Sequence, residues 1–210
     1  MRLRVENIDG SEYPKTLDLK DNRQVLVRPL KEGDEDLLLT FYRKLPPEAR
    51  LRLRQDNTNR KILKRFLEEI NFGSLILLGA FEPDNDSQTL IGEVSLRVLH
   101  HGWSRHVGEI RYCLQPEIAP SDLGAMLIRE MLEMGAAQGL DKLVYRVLDD
   151  QIRLKAVLQN LGFEEEAILR DHATDLSGKK HDVHIMSNYM AELWRKMEDL
   201  ILSQEFPPMH

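Results

Sequence analysis

Two alternating stretches separated by a turn constrain this chain more than anything else in it. In "TLIGEVSLRVLH", Leu90, Val94, Leu96 and Val98 fall on one side and Glu93, Ser95 and Arg97 on the other. In "VGEIRYCL", Ile110, Tyr112 and Leu114 alternate with Glu109, Arg111 and Cys113. A period of two is the mark of a strand with unlike faces. The intervening "HGWSRH" turns the chain. The pair therefore reads as a β-hairpin whose apolar face must be covered by other elements and whose other face is polar.

The remaining segments supply that cover. "KTLDLKDNRQVLVRPL" reads as two short strands around a tight turn at Asp21-Asn22. Asp34 can cap a helix through "EDLLLTFYRKL", and Pro46 and Pro47 end it and open a short basic helix, "EARLRLR". "NRKILKRFLEEI" is amphipathic, with Ile62, Leu63, Phe66, Leu67 and Ile70 on one side, and "SLILLGAFE" reads as a buried strand. After the hairpin, "PEIAPSDLGAML" leads into a helix to about Gln138 with a stripe of Leu123, Met126, Leu127, Met131 and Met134, and Gly139 fits its end. Then come a strand "KLVYRVL", a helix "QIRLKAVLQNLGF" closed by Gly162, and two strands joined through "DLSGKK". The last helix carries Met190, Leu193, Trp194, Met197, Leu200 and Ile201 at helical spacing. This order predicts an α/β (α+β) fold with a mixed, mostly antiparallel twisted sheet flanked by helices.

Bulk properties narrow the function. A net charge of −6 argues against a nonspecific nucleic-acid partner. One cysteine, Cys113, excludes an intrachain disulfide or a multi-cysteine zinc site and suits a reducing, cytoplasmic setting. "MRLRVENIDG" lacks the apolar centre of a signal peptide, and no apolar run approaches the ~20 residues of a membrane span, so no membrane is expected. The seven histidines suggest no metal: His181 and His184 stand three apart on a strand and so face opposite ways, and no HExxH-type pair occurs.

"GEIRYCLQPEIAPSDLGAMLIREMLEMGAAQGL", followed by "VLDDQIRLKAVLQNLGF", resembles the GNAT superfamily of N-acetyltransferases. "RPLKEGDEDLLLTFYRKLPPEARLRLR" looks like the opening of GNAT domains found in protein-lysine acetyltransferases. The resemblance implies a GNAT domain over 24–189, preceded by an N-terminal strand and extension over 1–23 and followed by a C-terminal helix and tail over 190–210. It implies acetyl-CoA as co-substrate, a primary amine as acceptor and no metal. In the family, a Q/R-x-x-G-x-G/A loop at a helix N-terminus holds the pyrophosphate with main-chain N–H groups. Here the first position is Ala119 and the first glycine is Asp122; only Gly124 keeps the pattern. The implied cofactor-binding residues are Ser121, Asp122, Leu123, Gly124 and Ala125, with Cys113 and Leu114 at the strand end for the pantetheine arm, and Gln151 before the next helix.

The resemblance gives Glu109 the part of the base that frees the acceptor nitrogen of a proton. The alternative for Glu109 is a cross-strand ion pair with Arg97, or a solvated face. The family's frequent tyrosine acid falls on Leu158 and is absent. Asp122 places a charge against a phosphate: at about 5 Å and an effective dielectric near 20 the repulsion is roughly 3 kcal/mol, and screening lowers it to about 1 kcal/mol. That is a loss of about 10- to 100-fold in affinity. The alternative is that Ser121 caps the helix and Asp122 complements its dipole. Two functions follow: an N-acetyltransferase, or a GNAT-like domain without activity that serves as a ligand-binding or assembly module. "ARLRLRQDNTNRKILKR" lines a groove or is a solvated surface, and the C-terminal stripe packs on its own sheet or in a homodimer.

Overall fold

The hairpin sits at the centre of the sheet. In the computed structural model, which describes residues 13–53, 55–71, 73–82, 89–119 and 122–190, β3 (Leu75–Phe81), β4 (Leu90–Val98) and β5 (Val107–Leu114) run antiparallel, Val94 opposite Tyr112 and Arg97 opposite Glu109. On one side β2 (Gln24–Pro29) and β1 (Lys15–Asp18) continue the sheet through a turn in which Asn22 takes φ 65°, a left-handed conformation that asparagine tolerates. On the other side lie β6 (Lys142–Leu148), then β8 (Lys180–Tyr189) and β7 (Glu164–Thr174), giving the order β1-β2-β3-β4-β5-β6-β8-β7.

Among these pairs β5–β6 alone is parallel, and it is brief: Val107, Gly108 and Glu109 face Lys142, Leu143 and Val144. Beyond Glu109 the two strands part while both continue, β5 to Leu114 and β6 to Leu148. The crossover between them is α4 (Leu123–Ala137), and α5 (Ile152–Asn160) follows β6. Gly139 and Gly162 end these helices at φ 68° and 83°, a conformation that glycine adopts without strain.

Two hydrophobic layers sandwich the sheet. Val94, Leu96, Ile110, Leu127, Met131 and Leu143 belong to the layer under α4 and α5. Leu38, Tyr42, Leu63, Leu67, Leu75 and Leu77 form the layer under α1 (Glu35–Lys44) and α3 (Arg60–Asn71), between which α2 (Pro47–Leu51) forms a short link that starts at Pro47, as proline favours. The strand faces agree with the alternation except at Leu90, which packs with the α1–α3 layer. A register shift at Ala80/Phe81 sets Phe81 opposite Leu90 and Ala80 opposite Gly92, so a bulge turns Leu90 over.

Asp34 does not cap α1. Its carboxylate instead accepts from Arg28 (2.8 and 2.9 Å) and from the Lys31 N–H (3.1 Å). α4 is buried more widely than its stripe: Glu130 is also covered and accepts from Tyr13 Oη and Lys15 Nζ, both at 2.6 Å. No helix among the described residues is long and apolar enough to cross a membrane. The C-terminal stripe from Leu193 onward lies outside the described residues.

The parallel seat depends on Gly108. A Cβ there would stand 2.7 Å from both Leu143 Cδ2 and Leu96 Cδ1, and 2.8 Å from Leu140 Cδ1. Three side chains of one packed layer cannot all yield, so Gly108→Ala is expected to cost about 1–3 kcal/mol. The check is urea unfolding, in which the midpoint falls without a change of slope.

Candidate active site

Where β5 and β6 separate, a cleft of about 730 Å³ opens. It runs from the polar face of the β4–β5 hairpin, past Tyr112 and Tyr145, to Ala119 and Gln151 on the α4–α5 side. The polar face borders it because Glu93, Ser95, Arg97, Glu109 and Arg111 all line it.

Main-chain groups of β5 also border the gap. The Gln115 N–H donates to Ile91 O at 2.9 Å. With Glu93 opposite Cys113 and Ser95 opposite Arg111, the antiparallel alternation turns Cys113 and Arg111 towards β4 and leaves the N–H groups of Tyr112 and Leu114 facing the splay. Of the two positions at the strand end, Leu114 thus offers its amide to the gap and Cys113 does not. Tyr112 and Tyr145 fill the inner end with ring centroids 6.0 Å apart. Burial pushes the Tyr145 hydroxyl well above its usual range, so it is a neutral donor.

The first intrahelical bond of α4 runs from Met126 N–H to Asp122 O at 3.1 Å, so the N–H groups of Gly124 and Ala125 precede it at the helix entrance. Leu123 is buried in the layer beneath α4. Ser121 lies outside the described residues. The Asp122 side chain makes no bond to its own helix end and accepts instead from the Lys20 N–H at 3.3 Å, in the β1–β2 turn. The carboxylate is therefore drawn to the hairpin. Gly124 has a packing reason besides phosphate approach: a Cβ there would press on the Tyr112 ring at 3.2–3.4 Å. Gln151 lines the cleft with its side-chain oxygen engaged by the Leu148 N–H at 3.0 Å. Leu158 is fully buried in the core.

Glu109 reaches the cleft, but its ion pairs differ from the cross-strand alternative. Its Oε1 accepts from Arg111 (2.6 and 3.1 Å) and lies 3.5 Å from Arg146 Nε, whereas Arg97 pairs with Glu69 of α3. Glu93, on the same face, is the carboxyl that the sequence reading passed over. It is 5% exposed, and burial pushes its pKa up to about 8, against the lesser influences of Tyr42 and Arg111. The Cys113 thiol opposite it is raised by burial and then by Glu93, so it is no nucleophile. The signal for Glu93 was present in the alternation; its depth comes from α1, which lays Tyr42 over the hairpin.

His181 donates towards Asp149 (2.6 Å) and Asp175 (3.3 Å), tying the β7–β8 turn to the end of β6, and these contacts raise its pKa. Asp149, Asp150 and His181 have the spacing of metal ligands, but Asp150 is paired with Arg52 at 3.4 Å and His181 with Asp149 and Asp175. Within the basic stretch, Arg52 thus crosses to Asp150 beside the cleft, and Arg60 pairs with Glu35 and Asp36 of α1.

Burial of Glu93 has a measurable signature. Unfolded, its proton leaves near pH 4.5; folded, near pH 8. Between these values the folded chain binds more protons, so the contribution is full below pH 4.5 and is lost as pH rises through about 8. Glu93→Gln never ionises. Its stability relative to the unsubstituted chain should therefore climb from about pH 5 to about pH 9, by up to about 1.4 kcal/mol per pH unit. Urea unfolding at several pH values reads this directly; parallel curves would show that Glu93 is ionised throughout.

Comparison with known proteins places this arrangement. Residues 24–164 match the family model described as acetyltransferase (GNAT) domain. No curated protein sequence matches. Among solved structures, an acetyltransferase of the GNAT family from Streptococcus pneumoniae superposes with a TM-score of 0.66 at 21% identity, over 79% of this chain and 99% of that one. The putative acetyltransferase yncA from Salmonella typhimurium, solved with its cofactor acetyl-CoA, gives 0.66 at 15% identity over 79% and 94%. The ribosomal-protein-S5-alanine acetyltransferase from Vibrio fischeri gives 0.65 at 16% over 83% and 96%. With the family model covering more than half of its length and the splayed sheet beneath that match, the chain belongs to the GNAT family of acetyltransferases.

Proposed function

We propose that this acyltransferase moves the acetyl group of acetyl-CoA to a primary amine, with protein lysine among the acceptors the resemblance suggests. The observation that carries the reading is the splay: three parallel residue pairs, then two diverging strands, with Leu114 and, ahead of α4, Ala119 lining the gap. The pyrophosphate sits against the N–H groups at the start of α4, and the pantetheine arm runs between β5 and β6. Leu114 N–H supplies one donor for the oxyanion formed when the amine attacks the thioester. The acceptor enters from the polar face, where Glu93 and Glu109 are the two carboxyl groups available to take its proton.

A specific set of residues favours a second reading, a ligand-binding or assembly module without turnover. Asp122 and Ala119 replace two of the loop's signature positions, and Leu158 is core rather than an acid. The bond of Asp122 to the Lys20 N–H favours the enzyme, because it draws the charge towards the hairpin.

Acetyl-CoA at about 100 times its Kd should stabilise the protein by about 2.7 kcal/mol, which is a rise in Tm of roughly 5–10 °C for a chain of this size. Asp122→Asn should tighten acetyl-CoA binding by about 3- to 10-fold, because it removes a screened repulsion of about 1 kcal/mol. Calorimetry checks both. Binding without turnover of any amine supports the module; no heat at millimolar acetyl-CoA removes the enzyme reading.

A further inference from the structure

Among the described residues that line the cleft, Tyr42, Asn57 and Glu93 are buried together: the Tyr42 hydroxyl lies within reach of Asn57 and Glu93, and Tyr42 Oη, Asn57 Oδ1 and Glu93 Oε2 have no partner outside this trio. Burying three polar groups that have only one another as partners is costly, and such a cluster beside a cleft needs a reason. They converge where α1 and the segment after α2 meet the hairpin. Tyr42 is fully buried, and Asn57 and Glu93 are each 5% exposed.

We infer that this recess seats the head of a primary alkylamine and that Glu93, rather than Glu109, takes its proton. The inference rests on the acetyl-transfer reading and names the chemistry of its acceptor end. Three oxygens, on Tyr42, Asn57 and Glu93, answer the three N–H donors of an ammonium group. Phe66 and Leu53, which also line the cleft, give an apolar wall for an unbranched stem. Glu93 stands opposite Cys113, one residue before Leu114, whose amide faces the thioester path. Glu109 stands four residues back along β5, about 13 Å at strand rise, with its oxygen held by Arg111 and close to Arg146.

The groups facing Glu93 are Tyr42 from α1 and Arg111 and Cys113 from β5, and Asn57, from the segment before α3, meets the same Tyr42 hydroxyl. Arg111 is the one ion among them and is paired with Glu109. A carboxyl poised near neutral pH suits a base. The ammonium gives one proton to the Glu93 carboxylate. The neutral nitrogen then attacks the thioester carbon, forming the C–N bond as the carbonyl electron pair moves to oxygen. Return of that pair breaks the C–S bond. The leaving thiolate takes the second N–H proton, and Glu93 later releases its own proton to water.

The test uses the full chain and n-butylamine as probe. With glutamate carboxyls labelled with carbon-13, one signal should titrate near pH 8, vanish in Glu93→Gln, and move to lower pH by at least one unit when butylammonium is added. The same variant should bind acetyl-CoA within about threefold of the unsubstituted chain. Its turnover of butylamine should drop at least about 100-fold and lose the inflection near pH 8, which Glu109→Gln keeps. Tyr42→Phe, which keeps the volume, serves if Glu93→Gln fails to fold and should weaken the butylammonium response about tenfold. A Glu93 signal indifferent to 100 mM butylammonium, as a merely hydrated cavity would give, overturns the inference. So does a pH–rate profile unchanged in Glu93→Gln. Loss of acetyl-CoA binding in the unsubstituted chain, with the Glu93 response intact, would instead strike only the acetyl-transfer reading.

Discussion

The parallel contact between β5 and β6 is the constraint on which the rest depends. A parallel pair needs a crossover, and α4 provides it. Because Gly108 lets Leu96, Leu140 and Leu143 close over the seat, the strands hold together for three pairs and then part. The right-handed twist of the flanking antiparallel pairs carries β5 with β4 and β6 with β8. The gap is thus a product of sheet geometry, and it brings Ala119 and Gln151, outward main-chain amides and a polar hairpin face to one cleft.

The cleft has two chemically unlike ends. Towards α4 and α5 it offers main-chain donors and the rings of Tyr112 and Tyr145. Towards α1 and α3 it offers carboxyl, phenol and amide groups, and between them a line of guanidinium–carboxylate pairs. Such a division suits two substrates that meet in the middle: a long phosphorylated donor bound largely by backbone, and a cationic acceptor bound by side chains.

Much of this was legible in the residues. Alternation fixed the two faces of β4 and β5, and glycine at 139 and 162 marked both helix ends. The degenerate phosphate loop was visible at Ala119 and Asp122. What escaped was set by contacts distant in sequence. Leu90 changes face because of a bulge opposite Ala80 and Phe81. Asp34 is drawn from its cap by Arg28. Gly124 answers to the Tyr112 ring. Glu93 stands on the polar side of an alternating strand, and nothing in that pattern tells that Tyr42, about 50 residues earlier, covers it. Periodicity tells which way a side chain points; only packing tells what it meets there.

The pairing of Arg52 with Asp150 has a mechanical consequence. The guanidinium comes from the end of α2 and the carboxylate from the loop before α5, so one side-chain contact joins elements lying on opposite faces of the sheet. Both partners are close to half exposed, and an ion pair of that kind is worth at most about 1 kcal/mol. A bond that weak ties the two faces only loosely, so the hold across the sheet rests on the strand ladders beneath and not on this clasp.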